Sequence, residues 1–295
     1  MNKLLRFPLI LACVASSFSL EAAWKYNETT ADPSAGSPEG ERIALWPEGK
    51  VPEMEAHQRN NPFIEWFVPE KKTTDAVMIL SCGGGYDMCA WSTNGVSSAM
   101  FRDWMLDKGM TVVRLHYRTP RNKNGKFFKA AWQDAQRAVR LVRDGASKHG
   151  VSPDKIGFYG FSAAGHQALL MAVSSGTNTY EKVDALDDIP CNVNWAIAFY
   201  PAYAVRNIKK RMLNPEFTFD SPMPPVLLVH GDIDNHTPMA SLYMYEALHE
   251  RKVPVELHIL ATRGHSLMVN AEPGTPSDAW KDTVWRWLVQ MKFCR

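Results

Sequence analysis

The sequence predicts a single α/β domain with a doubly wound, mostly parallel sheet and helices on both faces. Short apolar runs with the length of buried strands alternate with longer segments of helical periodicity along most of the 295 residues. One such strand is joined to one such helix by a tight turn of small residues that holds Ser162. Because 45% of the residues are hydrophobic, the chain has enough apolar content for a sizeable core.

The first 19 residues are predicted to be a secretory signal peptide. Lys3 and Arg6 supply a positive start, and residues 7–18 form an apolar segment that is too short to cross a bilayer. Small residues at 17–19 offer a cleavage site, so we expect export to the periplasm or the medium, with no stable membrane span afterwards. A lipoprotein anchored at Cys13 is the alternative interpretation.

Residues 20–42 are predicted to be a flexible lead-in, because they are rich in Thr, Ser, Pro, Gly and Glu. We expect one folded domain over residues 43–295, since no repeat or linker interrupts the pattern there. Residues 203–225 form the longest irregular stretch, which either shapes a substrate entrance or is a solvated surface loop. The predicted strands lie at 43–46, 63–68, 76–81, 111–115, 155–159, 196–200, 226–230 and 255–260, and the predicted helices at 98–106, 127–148, 166–173, 239–251 and 278–291.

The composition excludes several classes of function. The chain carries 33 Lys and Arg against 31 Asp and Glu, and two of the basic residues belong to the signal segment, so the mature balance gives no electrostatic case for nucleic acid. The glycine run at 83–85 lacks the Lys-Ser/Thr of a phosphate-binding loop, and no cofactor is predicted. The absence of a Cys-x-x-Cys pair makes a metal site unexpected. The four cysteines beyond the signal either form disulfides or are buried free thiols: Cys82, Cys89, Cys191 and Cys294.

Ser162 is the predicted nucleophile. The sequence G-F-S-A-A-G at 160–165 follows a strand-like run and opens a helix-like run, which is typical of a nucleophile elbow. Gly160 relieves the crowding between strand and helix, and a strained backbone holds the serine hydroxyl clear of the sheet. The alternative is an ordinary strand–helix turn without chemistry, and the rest of the chain decides between the two.

A serine nucleophile needs a base within hydrogen-bond reach and a carboxylate that orients the base. In this fold class the three residues follow in the order Ser, Asp, His, each after a strand. His265 is the predicted base, and the glycine before it lets the loop bend inward. Asp234 is the predicted acid because it lies in a turn beyond a strand end. Asp232 is the alternative acid, with a turn cap as its other interpretation.

The glycine loop after the third strand is predicted to stabilise an oxyanion. Gly84 and Gly85 are candidate donors, because no Cβ blocks the approach to their N–H groups. The N–H of Ala163, directly after the nucleophile, is the third candidate, and Tyr86 N–H is an alternative donor. His166 is expected to brace the floor of the site. Together these residues predict a serine esterase that works through an acyl-enzyme.

Five short motifs resemble those of the α/β-hydrolase fold: C-G-G-G-Y at 82–86, L-H-Y-R at 115–118, G-F-S-A-A-G-H at 160–166, H-G-D-I-D at 230–234 and G-H at 264–265. They are most similar to the acetylxylan-esterase-like branch of bacterial xylan-degrading esterases, which shows P-G-G-G-Y, Y-R, G-F-S-A-G-G-H and a late G-G-H. The resemblance extends from about residue 43 to the end. It implies removal of acetyl groups from xylan-type carbohydrate by an exported enzyme.

Tyr86 and Trp91 are the predicted substrate-binding side chains. Trp91 follows the glycine loop closely and offers an indole ring for stacking on a sugar. The chain departs from the pattern of the branch at Cys82, Ala164 and Arg263, none of which is a member of the predicted triad.

Two other functions stay open. A serine peptidase of the prolyl-oligopeptidase type shares this catalytic fold, although no acidic cluster that would bind a peptide amine is evident. A non-catalytic binding protein on a hydrolase scaffold is the second alternative, and the complete Ser-Asp-His set argues against it. The sequence does not indicate the acyl group, the polymer or the oligomeric state.

Overall fold

The structure, a computed structural model, describes residues 40–58, 61–89, 95–220, 222–265, 267–268, 271 and 273–295, with the backbone alone for 95–100. The predicted signal peptide, most of the predicted lead-in and Trp91 lie outside the described residues.

Within these ranges the chain forms ten strands and five α-helices. The strands are β1 (Glu41–Ala44), β2 (Phe63–Phe67), β3 (Val77–Ser81), β4 (Thr111–His116), β5 (Ile156–Phe161), β6 (Trp195–Phe199), β7 (Val205–Asn207), β8 (Met212–Leu213), β9 (Val226–Gly231) and β10 (Val255–Leu260). The helices are α1 (Gly95–Asp107), α2 (Lys129–Asp144), α3 (Ala163–Val173), α4 (Met239–Glu250) and α5 (Trp280–Gln290), and a short 3-10 helix spans Ala185–Asp188.

Eight of the strands form one sheet in the order β1-β2-β4-β3-β5-β6-β9-β10. From β4 to β10 in this order, all neighbouring strands are parallel. At the other edge, β2 pairs antiparallel with both β4 and β1. Every residue of β3, β5, β6 and β9 is buried. Because successive side chains of a strand point to opposite faces, complete burial means that both faces of the central sheet are covered. The predicted fold class is therefore confirmed.

The element boundaries differ from the predicted ones at three places. β1 begins at Glu41, so the last two residues of the predicted lead-in belong to the sheet. α2 ends at Asp144, before Gly145, and is shorter than the predicted helix at 127–148. The segment at 203–225 is not wholly irregular, because β7 and β8 pair as a small antiparallel hairpin.

Cys82, Cys89, Cys191 and Cys294 are all free thiols, and all except the half-buried Cys89 are buried, as the second of the two predicted alternatives has it. Burial raises the pKa of the Cys82 thiol well above its ordinary value. Across the described ranges, every helix falls short of the length and apolarity needed to span a bilayer. In the same ranges no three His, Cys, Asp or Glu side chains are grouped so that they could hold a metal ion.

Candidate active site

Ser162 lies in the tight turn between β5 and α3. Its backbone has φ 57° and ψ −121°, a conformation that costs a non-glycine residue roughly 1–3 kcal/mol. Gly160 permits the turn, because a Cβ at that position would overlap the carbonyl oxygen of Ala164. The crowding and the backbone strain predicted from the sequence are thus both present.

The sheet brings three distant loops to one edge. Ser162 directly follows β5, Asp234 lies three residues beyond β9, and His265 lies five residues beyond β10. β6 pairs in parallel with β5 and β9, and β9 pairs in parallel with β10, so the carboxyl ends of these strands lie at the same edge of the sheet. The three residues predicted as a triad therefore meet at that edge.

His265 bridges the other two residues by hydrogen bonds. Its Nε2 lies 2.8 Å from Ser162 Oγ, and its Nδ1 lies 2.8 Å from Asp234 Oδ2. A carboxylate can only accept, so Nδ1 donates to Asp234 and a neutral ring is left with Nε2 as the acceptor of the serine proton. This is the geometry that a general base requires of its nucleophile and its orienting acid.

Asp234 is a buried carboxylate whose side chain has 0% exposure. Burial alone would raise its pKa, but contacts with His230 and His265 and the N–H of His236 outweigh burial and hold the pKa well below its usual value. Asp232, in contrast, is exposed and accepts the Arg263 N–H at 3.3 Å. The structure thus brings Asp234 rather than Asp232 to the histidine, and Asp232 instead contacts the loop before His265 through the Arg263 N–H.

Two further histidines surround the acid. His230 Nε2 lies 3.2 Å from Asp234 Oδ2, and its Nδ1 lies 2.8 Å from Ser241 Oγ. The rings of His236 and His265 are 4.6 Å apart, and burial lowers the pKa of His236. Neither His230 nor His236 was predicted from the sequence to contact the acid. Their positions four residues before and two residues after the acid were the available signal.

The glycine loop emerges beside the nucleophile. β3 and β5 are parallel neighbours, with Ser81 opposite Gly160, so the loop after β3 begins next to the turn at Ser162. Gly83 packs directly on Phe161, since a Cβ on Gly83 would lie 2.7 Å from the phenylalanine ring. The predicted oxyanion loop and the predicted nucleophile are therefore adjacent.

Positive φ angles turn this loop back on itself. Gly84 has φ 118° and Gly85 has φ 66°, and the Gly84 carbonyl accepts the N–H groups of Asp87 and Met88 at 3.0 and 3.3 Å. Ala163 is the first residue of α3, where an N–H has no intrahelical acceptor, and the Ser162 side chain does not cap it. Its N–H is thus available to a ligand, as the proposed role requires.

Tyr86 occupies a different place from the one predicted. Its side chain is 1% exposed, and its hydroxyl lies 2.9 Å from His166 Nδ1. His166 Nε2 lies 3.3 Å from Glu216 Oε1, and burial holds the pKa of His166 below its ordinary value. A neutral ring that donates to Glu216 accepts the Tyr86 proton. This corrects the prediction of Tyr86 as a substrate contact, because its phenol joins the glycine loop to the helix of the nucleophile.

The bracing position expected for His166 is the one that the structure gives it. Glu216, its second partner, comes from the segment at 203–225 and is 7% exposed. Part of that segment therefore contacts the helix that follows the nucleophile, through Glu216 and His166. Trp91, the other predicted substrate contact, lies outside the described residues.

A mostly parallel sheet with Ser, Asp and His each after a different strand, in that chain order, is the architecture of the α/β-hydrolase fold. The profile of the BD-FAE family matches residues 64–214, about half of the chain. The chain belongs to the BD-FAE family.

The chain is also similar to two curated proteins over part of their length. It is 28% identical to endo-1,4-beta-xylanase B of Butyrivibrio fibrisolvens over 65% of this chain and 32% of the relative. It is 29% identical to an acetylxylan esterase of Xylanibacter ruminicola over 47% of this chain and 25% of the relative. The chain thus spans a third or less of the length of these relatives.

Solved structures share the fold over most of the chain. An acetyl ester-xyloside bifunctional hydrolase from Caldicellulosiruptor lactoaceticus has a TM-score of 0.73 and 25% identity, covering 88% of this chain and 98% of the other. Esterase 2 of Thermogutta terrifontis, at a TM-score of 0.66 and 21% identity, covers 87% of this chain and 96% of its own. The latter likeness concerns the fold alone.

Proposed function

We propose that this protein is a serine esterase that removes short acyl groups, acetyl in the first place, from xylan-type carbohydrate. The observation that carries the proposal is the continuous hydrogen-bond chain from Ser162 through His265 to Asp234, with 2.8 Å at each step. A buried carboxylate behind the base and a strained serine turn in front of it are what an activated nucleophile needs.

In the proposed reaction, Ser162 Oγ attacks the carbonyl carbon of the ester while His265 Nε2 takes the hydroxyl proton. Asp234 orients the imidazole and stabilises its protonated form. The carbonyl oxygen becomes an oxyanion, which accepts the N–H groups of Gly84, Gly85 and Ala163. Each such donor contributes about 3 kcal/mol to lowering the barrier.

The tetrahedral intermediate then collapses. The bond between the carbonyl carbon and the alcohol oxygen breaks, and His265 returns its proton to the leaving alcohol. Water, deprotonated by the same histidine, attacks the acyl-enzyme and releases the carboxylic acid and free Ser162. The residues proposed for this cycle require no cofactor.

The substrate class rests on relatives that bear the words acetylxylan esterase, xylanase and acetyl ester-xyloside hydrolase in their names. We also propose export, since the apolar segment at 7–18 follows two basic residues and precedes small ones. Expression of the full chain in a bacterium, followed by N-terminal sequencing of the exported protein, tests this. A start just beyond residue 19 supports it, a lipid on Cys13 indicates the lipoprotein alternative, and an intact Met1 contradicts export.

Three substrates test the proposed activity: p-nitrophenyl acetate, a longer-chain p-nitrophenyl ester and a proline p-nitroanilide. We expect the acetate to be preferred and Ser162→Ala to lower kcat by at least roughly 10⁴-fold. Preferential cleavage of the anilide would indicate a peptidase instead. Failure to hydrolyse any of them, with no labelling by a serine-directed phosphonate, would indicate a binding protein.

A further inference from the structure

We propose that Asp87, Arg121 and Tyr203 form a subsite for a neutral sugar unit adjoining the ester, here called the sugar rim. This inference rests on the proposed esterase function and adds the residues that would bind the alcohol side of the substrate. None of the three belongs to the predicted triad or to the predicted oxyanion donors.

The sugar rim touches the candidate oxyanion loop. Arg121 Nη2 lies 3.1 Å, and the Tyr203 hydroxyl 3.5 Å, from the place where a Cβ on Gly85 would be. From Tyr203 the rim continues towards the base, because the Tyr203 and His236 rings are 6.1 Å apart and the His236 and His265 rings 4.6 Å apart. A group bonded to an ester held at this loop would therefore meet the rim.

A cavity opens beside the sugar rim. Its volume is about 430 Å³, which lies in the range of small-molecule sites, roughly 300–1,000 Å³. Five of its six lining residues carry polar side chains, so it suits a polyhydroxylated ring better than an acyl chain. The lining residues are His57, Asp87, Pro120, Arg121, Asn122 and Lys123.

The central pair of the rim is pre-organised. Asp87 Oδ1 accepts Arg121 Nε at 2.8 Å, and Asp87 Oδ2 accepts Nη2 at 2.6 Å, a two-point pairing. The guanidinium also lies over the rings of Phe127 and Tyr203, at 5.5 and 6.0 Å. Both charged side chains keep part of their surface open, 34% for Arg121 and 51% for Asp87. Little side-chain freedom remains to be lost when a ligand binds.

This pairing selects for hydroxyl groups. It uses Nε and Nη2 of Arg121, and the exposed part of the guanidinium places N–H donors beside the carboxylate lone pairs of Asp87. Two neighbouring hydroxyls of a sugar can accept from the one and donate to the other. An anionic group is disfavoured, because Asp87 already neutralises the guanidinium and would repel a second carboxylate.

The test compares kcat/KM for acetylated xylotriose with kcat/KM for p-nitrophenyl acetate in the wild type, Arg121→Gln and Asp87→Asn. We expect either substitution to lower kcat/KM for the xylotriose ester roughly tenfold more than for the aryl ester, mainly through KM, since each removes a charged hydrogen-bonding group. Lys182→Gln, which breaks the exposed Lys182–Asp188 pair of 2.6 Å, is the matched control and should move both substrates alike.

Equal losses on both substrates, or no turnover of acetylated xylotriose by a wild type that hydrolyses p-nitrophenyl acetate, would overturn the subsite. A xylotriose ester with a glucuronic acid branch gives a further test. If Asp87→Asn hydrolysed it faster than the wild type does, the site would bind anions, and the proposal of a neutral sugar unit would be overturned. In each case Ser162-dependent hydrolysis of the aryl ester leaves the serine-esterase part of the proposed function standing. Ester turnover that persists in Ser162→Ala overturns both. Near-UV circular dichroism of each variant checks that its fold is intact.

Discussion

Asp234 is the residue whose surroundings are most unusual, since a fully buried carboxylate is enclosed by three histidines. Its Oδ2 faces His265 at 2.8 Å and His230 at 3.2 Å, and its Oδ1 accepts the His236 N–H at 2.7 Å. A buried carboxylate with so many partners stays ionised and holds the imidazole of His265 in one orientation.

Replacing Asp234 by Asn is therefore expected to lower kcat by roughly 10³–10⁴-fold with a much smaller change in KM. The amide keeps the shape but removes the charge and favours the wrong tautomer of His265. Steady-state kinetics on p-nitrophenyl acetate measures this. Asp232→Asn is the control, because Asp232 is exposed and accepts the Arg263 N–H rather than a proton of His265. A larger loss in the control than in Asp234→Asn would reassign the acid.

The sequence was enough to predict that Ser162, Asp234 and His265 lie together, because each follows a strand and they stand in the chain order Ser, Asp, His. It did not reveal the contact of His230 with the acid, since a histidine in an apolar strand gives no sign of the loop that folds over it. Tyr86 was wrongly predicted to contact substrate for the same reason, because only the folded chain shows that its hydroxyl forms a hydrogen bond with His166. Arg121 lies three residues beyond the L-H-Y-R motif, in no motif of its own, and was not singled out.

At the scale of elements, the glycine loop of residues 83–86 depends on one backbone conformation. Gly84 has φ 118°, and an added Cβ would overlap the carbonyl oxygen of Met88. Because backbone atoms cannot rotate away, a side chain there must displace the loop.

We expect Gly84→Ala to lower kcat/KM for p-nitrophenyl acetate at least about a hundredfold, as loss of an oxyanion donor does. Gly49→Ala is the matched control, since Gly49 also has positive φ, 71°, with no atom within 4 Å of the added Cβ. That variant should lose some stability to thermal unfolding and keep its activity. Full activity in Gly84→Ala would remove the loop from the mechanism.

The antiparallel edge of the sheet contains a buried ionic cluster. Glu65 on β2 accepts Arg114 Nε at 3.0 Å and Arg42 Nε at 3.1 Å, and its side chain is 2% exposed. Burial opposes its charge, but His116, Arg114 and Arg42 outweigh burial and lower its pKa from 4.5 to about 2. The unfolded chain therefore takes up the proton first as the pH falls.

The stabilisation from Glu65, on the order of 3 kcal/mol, should be complete above about pH 4.5 and lost as the pH falls towards 2. Urea unfolding of the wild type and Glu65→Gln between pH 3 and pH 7 measures this. The free energy of unfolding of Glu65→Gln should be lower than that of the wild type at pH 7 and should change less between pH 3 and pH 7. Glu41→Gln, which removes an exposed partner of Lys148, should change both quantities far less, because solvent screens that pair. Parallel curves for wild type and Glu65→Gln would contradict the cluster's role.

Most elements of the sheet were predictable because buried parallel strands read as unbroken apolar runs. The hairpin of β7 and β8 was not predictable, because its strands have only three and two residues. The turn between them contains exposed cations such as Lys209 and Lys210. Such a short pair is held by the surrounding tertiary contacts, among them the bond from the Tyr243 hydroxyl to the Ile208 carbonyl at 3.0 Å.

For the molecule as a whole, the sheet brings residues that are distant in the chain together in one site. Ser162 and His265 are 103 positions apart, yet the parallel order β5-β6-β9-β10 leaves them in hydrogen-bond contact. The proposed function depends on this convergence more than on any single motif, because each residue alone has an ordinary structural interpretation.

Peptide mass spectrometry after treatment with diethyl p-nitrophenyl phosphate tests that convergence most directly, since only an activated serine reacts rapidly with this reagent. We expect one diethylphosphoryl group, on Ser162, in proportion to the loss of esterase activity. His265→Ala should suppress the label. A label on another residue, or undiminished ester hydrolysis by a fully labelled protein, would contradict the account.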